Sequence, residues 1–241
     1  MKQLRWIIGP LMGLLAVPSW AMMPGPDVII QCPNSDKVVK KPTLMSGNTF
    51  GGRVWSDGYA VYPMLPRSPE ITRCGDDGPF FWVSDAKEVG DISPWGEDSN
   101  VHEKWKRAKR IRFLTEAEYL EAIEMGMGRN QEEKLYIRLL AWWAANDPLR
   151  QAQSDKTAQK SPFLLGSKAR KNLEQLLKLL SVTDPNKRLM KAEGLRQLGR
   201  FEEALKILQA PFPKEFTKVV DWMRGLVKER DSLVIELFKT R

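Results

Sequence analysis

The residues able to do chemistry are few: two cysteines, Cys32 and Cys74, and a single histidine, His102, in a chain of 241 residues. Ser-His-Asp hydrolysis, Cys-His proteolysis and multi-histidine zinc catalysis each need an imidazole held between a nucleophile or metal and an orienting group. Only His102 is available for that role. It follows the polar run Glu97-Asp98-Ser99-Asn100, where a solvated side chain is expected. Carboxylate-pair chemistry of the glycosidase kind is not excluded by counting, because Asp and Glu total 30, yet no spacing singles out a pair. No catalytic residue and no complete metal-ligand set is assigned.

The other chemically distinctive stretch is basic. Lys104, Lys106, Arg107, Lys109, Arg110 and Arg112 lie close together, with Trp105 among them and no acid between. A cationic run with an aromatic residue can contact nucleic acid, anionic lipid headgroups or an acidic protein face; the alternative is a solvated linker. The net charge of +8 favours anionic partners weakly.

The compartment decides how the cysteines are read. Lys2 and Arg5 precede an apolar run from Trp6 to Pro18, and Ser19-Trp20-Ala21 offers small residues where a signal peptidase cuts. The apolar run falls well short of the ~20 residues a spanning helix needs. Residues 1–21 are expected to be a signal peptide cleaved near Ala21, leaving a periplasmic or secreted protein in which nucleic acid is scarce. An oxidising compartment and an even cysteine count favour a Cys32–Cys74 disulfide. Closing that loop removes about 4 kcal/mol of unfolded-chain entropy, comparable to the whole stability of a small module. Free, redox-active or metal-bound thiols are the alternatives.

Residues 22–90 read as a small β module. Val28-Ile29-Ile30 and Val38-Val39 are β-branched clusters, Phe80-Phe81-Trp82-Val83 is a further strand, and Ser56-Asp57-Gly58 predicts a tight hairpin of type I′ over 53–62. Each cysteine opens a turn at a strand end, in Cys32-Pro33-Asn34-Ser35 and Cys74-Gly75-Asp76-Asp77. This placement resembles the two knuckles of a zinc ribbon, with Ser35 and Asp77 where the second and fourth cysteines of that family belong. The resemblance implies a degenerate ribbon whose cofactor is none or, as the lesser alternative, zinc; serine is a poor ligand for it.

Residues 91–114 are expected to be a basic linker, entered by a short helix from Ser84 to Glu88. From Thr115 the periodicity becomes helical, with a capping box at Thr115 and Glu118 and a second helix from Asn130 that should stop near Asn146-Asp147-Pro148. A polar loop is expected over 149–165. Leu173, Leu176, Leu177 and Leu180 then mark the apolar face of a third helix, and Asp184-Pro185 starts a fourth. Ala192, Leu195, Leu198-Gly199, Phe201, Ala204-Leu205 and Leu208 resemble a tetratricopeptide repeat over about 189–208, a family that binds proteins or peptides and performs no chemistry. Further helices are expected over 214–229 and 232–239, so that 115–241 forms an α-helical, tetratricopeptide-like domain.

The fold class expected is therefore α+β, a small antiparallel β module followed by helical hairpins. The function expected is that of a noncatalytic envelope scaffold or adaptor for a protein or peptide. An anionic membrane surface is a further candidate partner; no small-molecule substrate is indicated. The alternatives are a metal- or redox-responsive module using Cys32 and Cys74 and, more distantly, a carboxylate-dependent cell-wall enzyme.

Overall fold

The computed structural model describes residues 22–95, 102–154 and 165–239. The expected signal peptide and most of the expected polar loop lie outside these residues. The chain is α+β, with small antiparallel sheets in the first half and helices in the second.

Strand β1 (Met23–Pro24) pairs with β4 (Leu44–Ser46), while β2 (Asp27–Gln31) lies between β3 (Val38–Lys41) and β9 (Lys87–Ile92). Strands β5 (Arg53–Trp55) and β6 (Ala60–Val61) form the hairpin expected from Ser56-Asp57-Gly58, and β7 (Ile71–Arg73) pairs with β8 (Phe80–Trp82). The hairpin turn differs from expectation. Trp55 N–H bonds to Tyr59 O at 2.9 Å and only Gly58 has positive φ, at 78°, so three residues make the connection and not the two of a type I′ turn. Asp57 thereby keeps ordinary backbone angles while Oδ1 accepts from Tyr59 N–H at 3.1 Å.

The expected helix from Ser84 shrinks to one 3-10 turn, Val83–Asp85, and the chain then enters β9. Pairing overrides local preference here: Lys87-Glu88-Val89-Gly90 has no alternating pattern, yet it completes the sheet beside β2. Ile29 and Ile30 on β2 are 0% and 1% exposed, so both faces of the strand are covered. Ile30 packs with Val39, Phe81, Ile111 and the two cysteines. On the other face, Ile29 is paired with Gly90, and a Cβ on Gly90 would meet the Trp105 ring at 2.3 Å.

The helices follow the predicted periodicity more closely. Helix α1 (Glu103–Lys106) is a single turn, and α2 (Glu116–Glu124) begins at the expected capping box, with Thr115 and Glu118 each bonding the other's backbone N–H. Helix α3 (Gln131–Ser154) runs through Pro148 and does not stop before it. A proline inside a helix costs about 3 kcal/mol. Continuing the helix delivers Arg150, 5% exposed, into a buried cluster, and the bonds formed there offset that cost. Helices α4 (Ser167–Leu179), α5 (Pro185–Gln197), α6 (Phe201–Gln209) and α7 (Thr217–Lys228) follow. Leu173, Leu176, Leu177 and Leu180 are all buried, as the periodicity required. Ala192 and Ala204 are 0% exposed where α5 and α6 meet, and Gly199, at φ 77°, makes the turn between them.

The last element corrects an expectation: residues 236–239 form strand β10 (Glu236–Lys239), antiparallel to β5, and not a helix. Eight residues are too few to hold a helix without support, whereas the open side of β5 offers a hydrogen-bonded partner. Leu237 is buried and Phe238 exposed, the alternation of a strand. Arg53 and Glu236 lock the register, with Nε to Oε2 at 2.8 Å.

Candidate interaction sites

The cysteines occupy equivalent places. Loop 32–37 joins β2 to β3 and loop 74–79 joins β7 to β8, and each starts with a cysteine whose N–H bonds to the carbonyl five residues on, Lys37 O at 2.9 Å and Pro79 O at 3.0 Å. The two sulfurs are bonded to each other, with Cα atoms 5.9 Å apart. The cystine is buried among Ile30, Val39, Phe81 and Ile111. Both sulfurs are thus committed to the bridge. No group of three or more His, Cys, Asp or Glu side chains is placed to hold a metal ion among the described residues.

The basic run is woven into the sheet. Residues 109–111 run alongside β3, with Lys40 N–H bonding to Lys109 O and Ile111 N–H to Lys40 O, both at 2.8 Å. His102 is exposed at the start of α1, and its ring meets Trp105 edge-on at 5.4 Å. Lys106 pairs with Glu103 at 3.3 Å, Arg110 with Asp27 at 3.1 Å and Lys109 with Asp76, while Lys104 Nζ donates to Asp36 O. Arg107 lies 3.9 Å from Glu103 and its side chain is 83% exposed. Lys37, Lys104, Arg107 and Lys109 nevertheless converge on one open concavity beside Cys74 and Gly75.

Arg112 leaves this surface for the neck of α2. Both its terminal nitrogens donate to Glu118, at 2.8 and 2.6 Å. That contact, together with the Thr115 bonds of the cap, holds the Glu118 carboxyl down at about 2. A lowered carboxylate pKa contributes stability that is complete above the usual value near 4.5 and is lost as pH falls toward about 2. Thermal unfolding between pH 2 and 6 is therefore expected to show a flatter acid limb in Glu118→Gln than in the parent; identical limbs would count against the pair.

A buried polar cluster, invisible in the sequence as such, joins the β5–β6 turn to the helices. Glu193 and Arg196 are both 0% exposed and pair at 2.7 Å. Glu193 also accepts from Ser56 Oγ at 2.7 Å and Gln197 Nε2 at 2.8 Å. Gln197 Oε1 in turn accepts from Trp142 Nε1 at 2.9 Å. Asp57, 0% exposed, accepts from Asn146 Nδ2 at 2.9 Å and from Arg150. Burial pushes the Asp57 carboxyl up, against the pull of Arg150. Arg196 also reaches the C-terminal segment through Leu233 O at 2.7 Å and Asp231 O. The only sequence signal was spacing: Asn146 and Arg150 on α3, and Glu193 and Gln197 on α5, lie four residues apart on otherwise apolar faces.

Next to this cluster an apolar cleft of about 420 Å³ opens between β5, β10, α5 and the start of α7. Its walls include Val54, Leu189, Met190, Val219, Trp222 and Phe238. Trp222 and Phe238 are 42% and 46% exposed, a high value for aromatic side chains bordering one pocket. Glu215 and Lys218 mark its polar rim, and among the described residues β10 is the outer strand of its sheet. Sequence reasoning missed this site because its walls come from four separated segments.

Comparison with protein-family models, with curated proteins and with solved structures returns no match. Among the described residues no helix is long and apolar enough to cross a membrane.

Proposed function

We propose that the protein is a noncatalytic interaction module of the bacterial-type envelope, one that holds an extended segment of a partner protein by seating a large apolar side chain in the cleft between β10, α5 and α7. The observation that carries this reading is the cleft itself, an apolar cavity with exposed Trp222 and Phe238 at its mouth and an edge strand alongside. Edge strands take up extended peptides through main-chain hydrogen bonds, and adjacent pockets give side-chain selectivity. The resemblance of residues 189–208 to a tetratricopeptide repeat is a further reason to read the helical half as a binding surface, and the α5–α6 hairpin there buries Ala192, Leu195, Leu198, Phe201, Ala204 and Leu208. The disulfide fits an oxidising compartment, and with the amino-terminal leader pattern it supports export.

The rival readings have less support. A redox or metal role for Cys32 and Cys74 starts from a bond 1% and 2% exposed, so a reductant must first open the core. A carboxylate-dependent enzyme needs acids accessible to substrate, whereas Asp57 and Glu193 are each bonded to a buried arginine.

Peptides selected from a random library on the purified mature protein should share an apolar anchor residue. Their affinity should fall at least about thirtyfold in Met190→Glu or Trp222→Ala, the loss expected at an interface hot spot, with the thermal midpoint of Trp222→Ala unchanged. Selected peptides that bind all three proteins equally would refute the assignment.

A further inference from the structure

The basic run has a spatial organisation that the cleft does not use. We propose that the concavity beside the Cys74 turn binds the phosphate of an anionic lipid headgroup, so that the β module rests on a membrane surface. Four cations line this concavity from three separate places: Lys37 from the Cys32 loop, Lys104 and Arg107 from α1 and its end, and Lys109 from the segment beside β3. The cavity is about 530 Å³ and widely open, large enough to admit a phosphate and its glycerol linkage. Cations gathered around one spot suit a compact anion; an acidic peptide is better matched by cations in a row.

The anions at the same place are Asp76 and Asp77. Lys109 bonds to Asp76, and that contact holds the Asp76 carboxyl below its usual range. Lys104 is held by a backbone carbonyl, that of Asp36, and among the described residues Arg107 makes a long contact with Glu103. Among the described residues the four cations face Asp76, Asp77 and the Glu103 beside Arg107, which leaves the concavity positive. A bound phosphate takes Lys109 from Asp76 and adds Arg107, whose side chain is free to swing because it is 83% exposed. The floor does not move with these side chains, because the cystine ties loop 74–79 to loop 32–37. Binding thus combines a fixed backbone cradle with mobile cations at its edge.

Cosedimentation of the mature protein with vesicles of phosphatidylglycerol and phosphatidylcholine, against phosphatidylcholine alone, tests this. Binding is expected only with the anionic lipid, is expected to fall steeply between 50 and 300 mM salt, and should weaken by about tenfold or more in Lys104→Gln/Arg107→Gln. Asp76→Asn, which releases Lys109, should bind several-fold tighter. All three proteins should give the same thermal midpoint within a few degrees, because these side chains are exposed. Equal binding by the double variant, or no binding to anionic vesicles at low salt, overturns the proposal. Displacement of the vesicles by millimolar inorganic phosphate, but not by chloride of equal ionic strength, would make the free ion the ligand and overturn the lipid assignment. Preference for polyglutamate over vesicles would overturn it in favour of an acidic protein. The peptide selection at the cleft is read out separately, so either proposal can fail alone.

Discussion

Arg196→Met is expected to destabilise the protein by about 3–5 kcal/mol, the usual consequence of removing one partner of a buried ion pair. Glu193, 0% exposed, would be left with only Ser56 and Gln197 as neutral donors. The carbonyls of Asp231 and Leu233 would lose their guanidinium donor at the same time. Urea unfolding measures the loss, and amide exchange locates it: protection should fall first in residues 231–239 and in β5. The double variant Glu193→Gln/Arg196→Met should recover part of the difference, since no uncompensated charge remains inside. A single variant within about 1 kcal/mol of the parent would show that the cluster is incidental to stability.

Removing the bridge is the second large effect. Cys32→Ser/Cys74→Ser is expected to lower stability by about 4 kcal/mol, because the cross-link joins residues 42 apart in sequence and constrains the unfolded chain accordingly. The damage should be regional. The cystine packs with Ile30, Val39, Phe81 and Ile111, whereas the main helical core is built from α3 to α7. Exchange protection should therefore drop in β2, β3, β7 and β8 more than in α5 or α6. An unchanged urea midpoint with and without reductant would show that the bridge contributes little.

Local chemistry made part of this fold legible. Two cysteines at strand ends announced the disulfide, Ser56-Asp57-Gly58 announced a hairpin, and Thr115 with Glu118 announced the start of α2. The leucine spacing in α4 named its buried face correctly. Strands β9 and β10 were not legible, because each is specified by the strand it joins and not by its own composition. Glu193 and Arg196 resembled any solvated helical pair, and only the arrival of Ser56 and Leu233 from distant parts of the chain encloses them. Pro148 signalled a helix end that the anchoring of Arg150 overrode. Of the site residues, Lys104, Arg107 and Lys109 were marked by charge alone. Lys37 and the aromatic residues of the cleft carried no mark, since proximity across loops is not encoded in any short window.

The pairing of β10 with β5 has a consequence for how the polypeptide is made. Arg53 meets Glu236, 183 positions later, so at ordinary synthesis speeds β5 waits some 10 to 40 s for its partner to emerge. During that interval its open side, next to Trp55, is a strand edge of the sort that captures other chains. Residues 236–239 are thus the ones that retire the hazard, and a nascent chain cut short before them would be left sticky as well as incomplete.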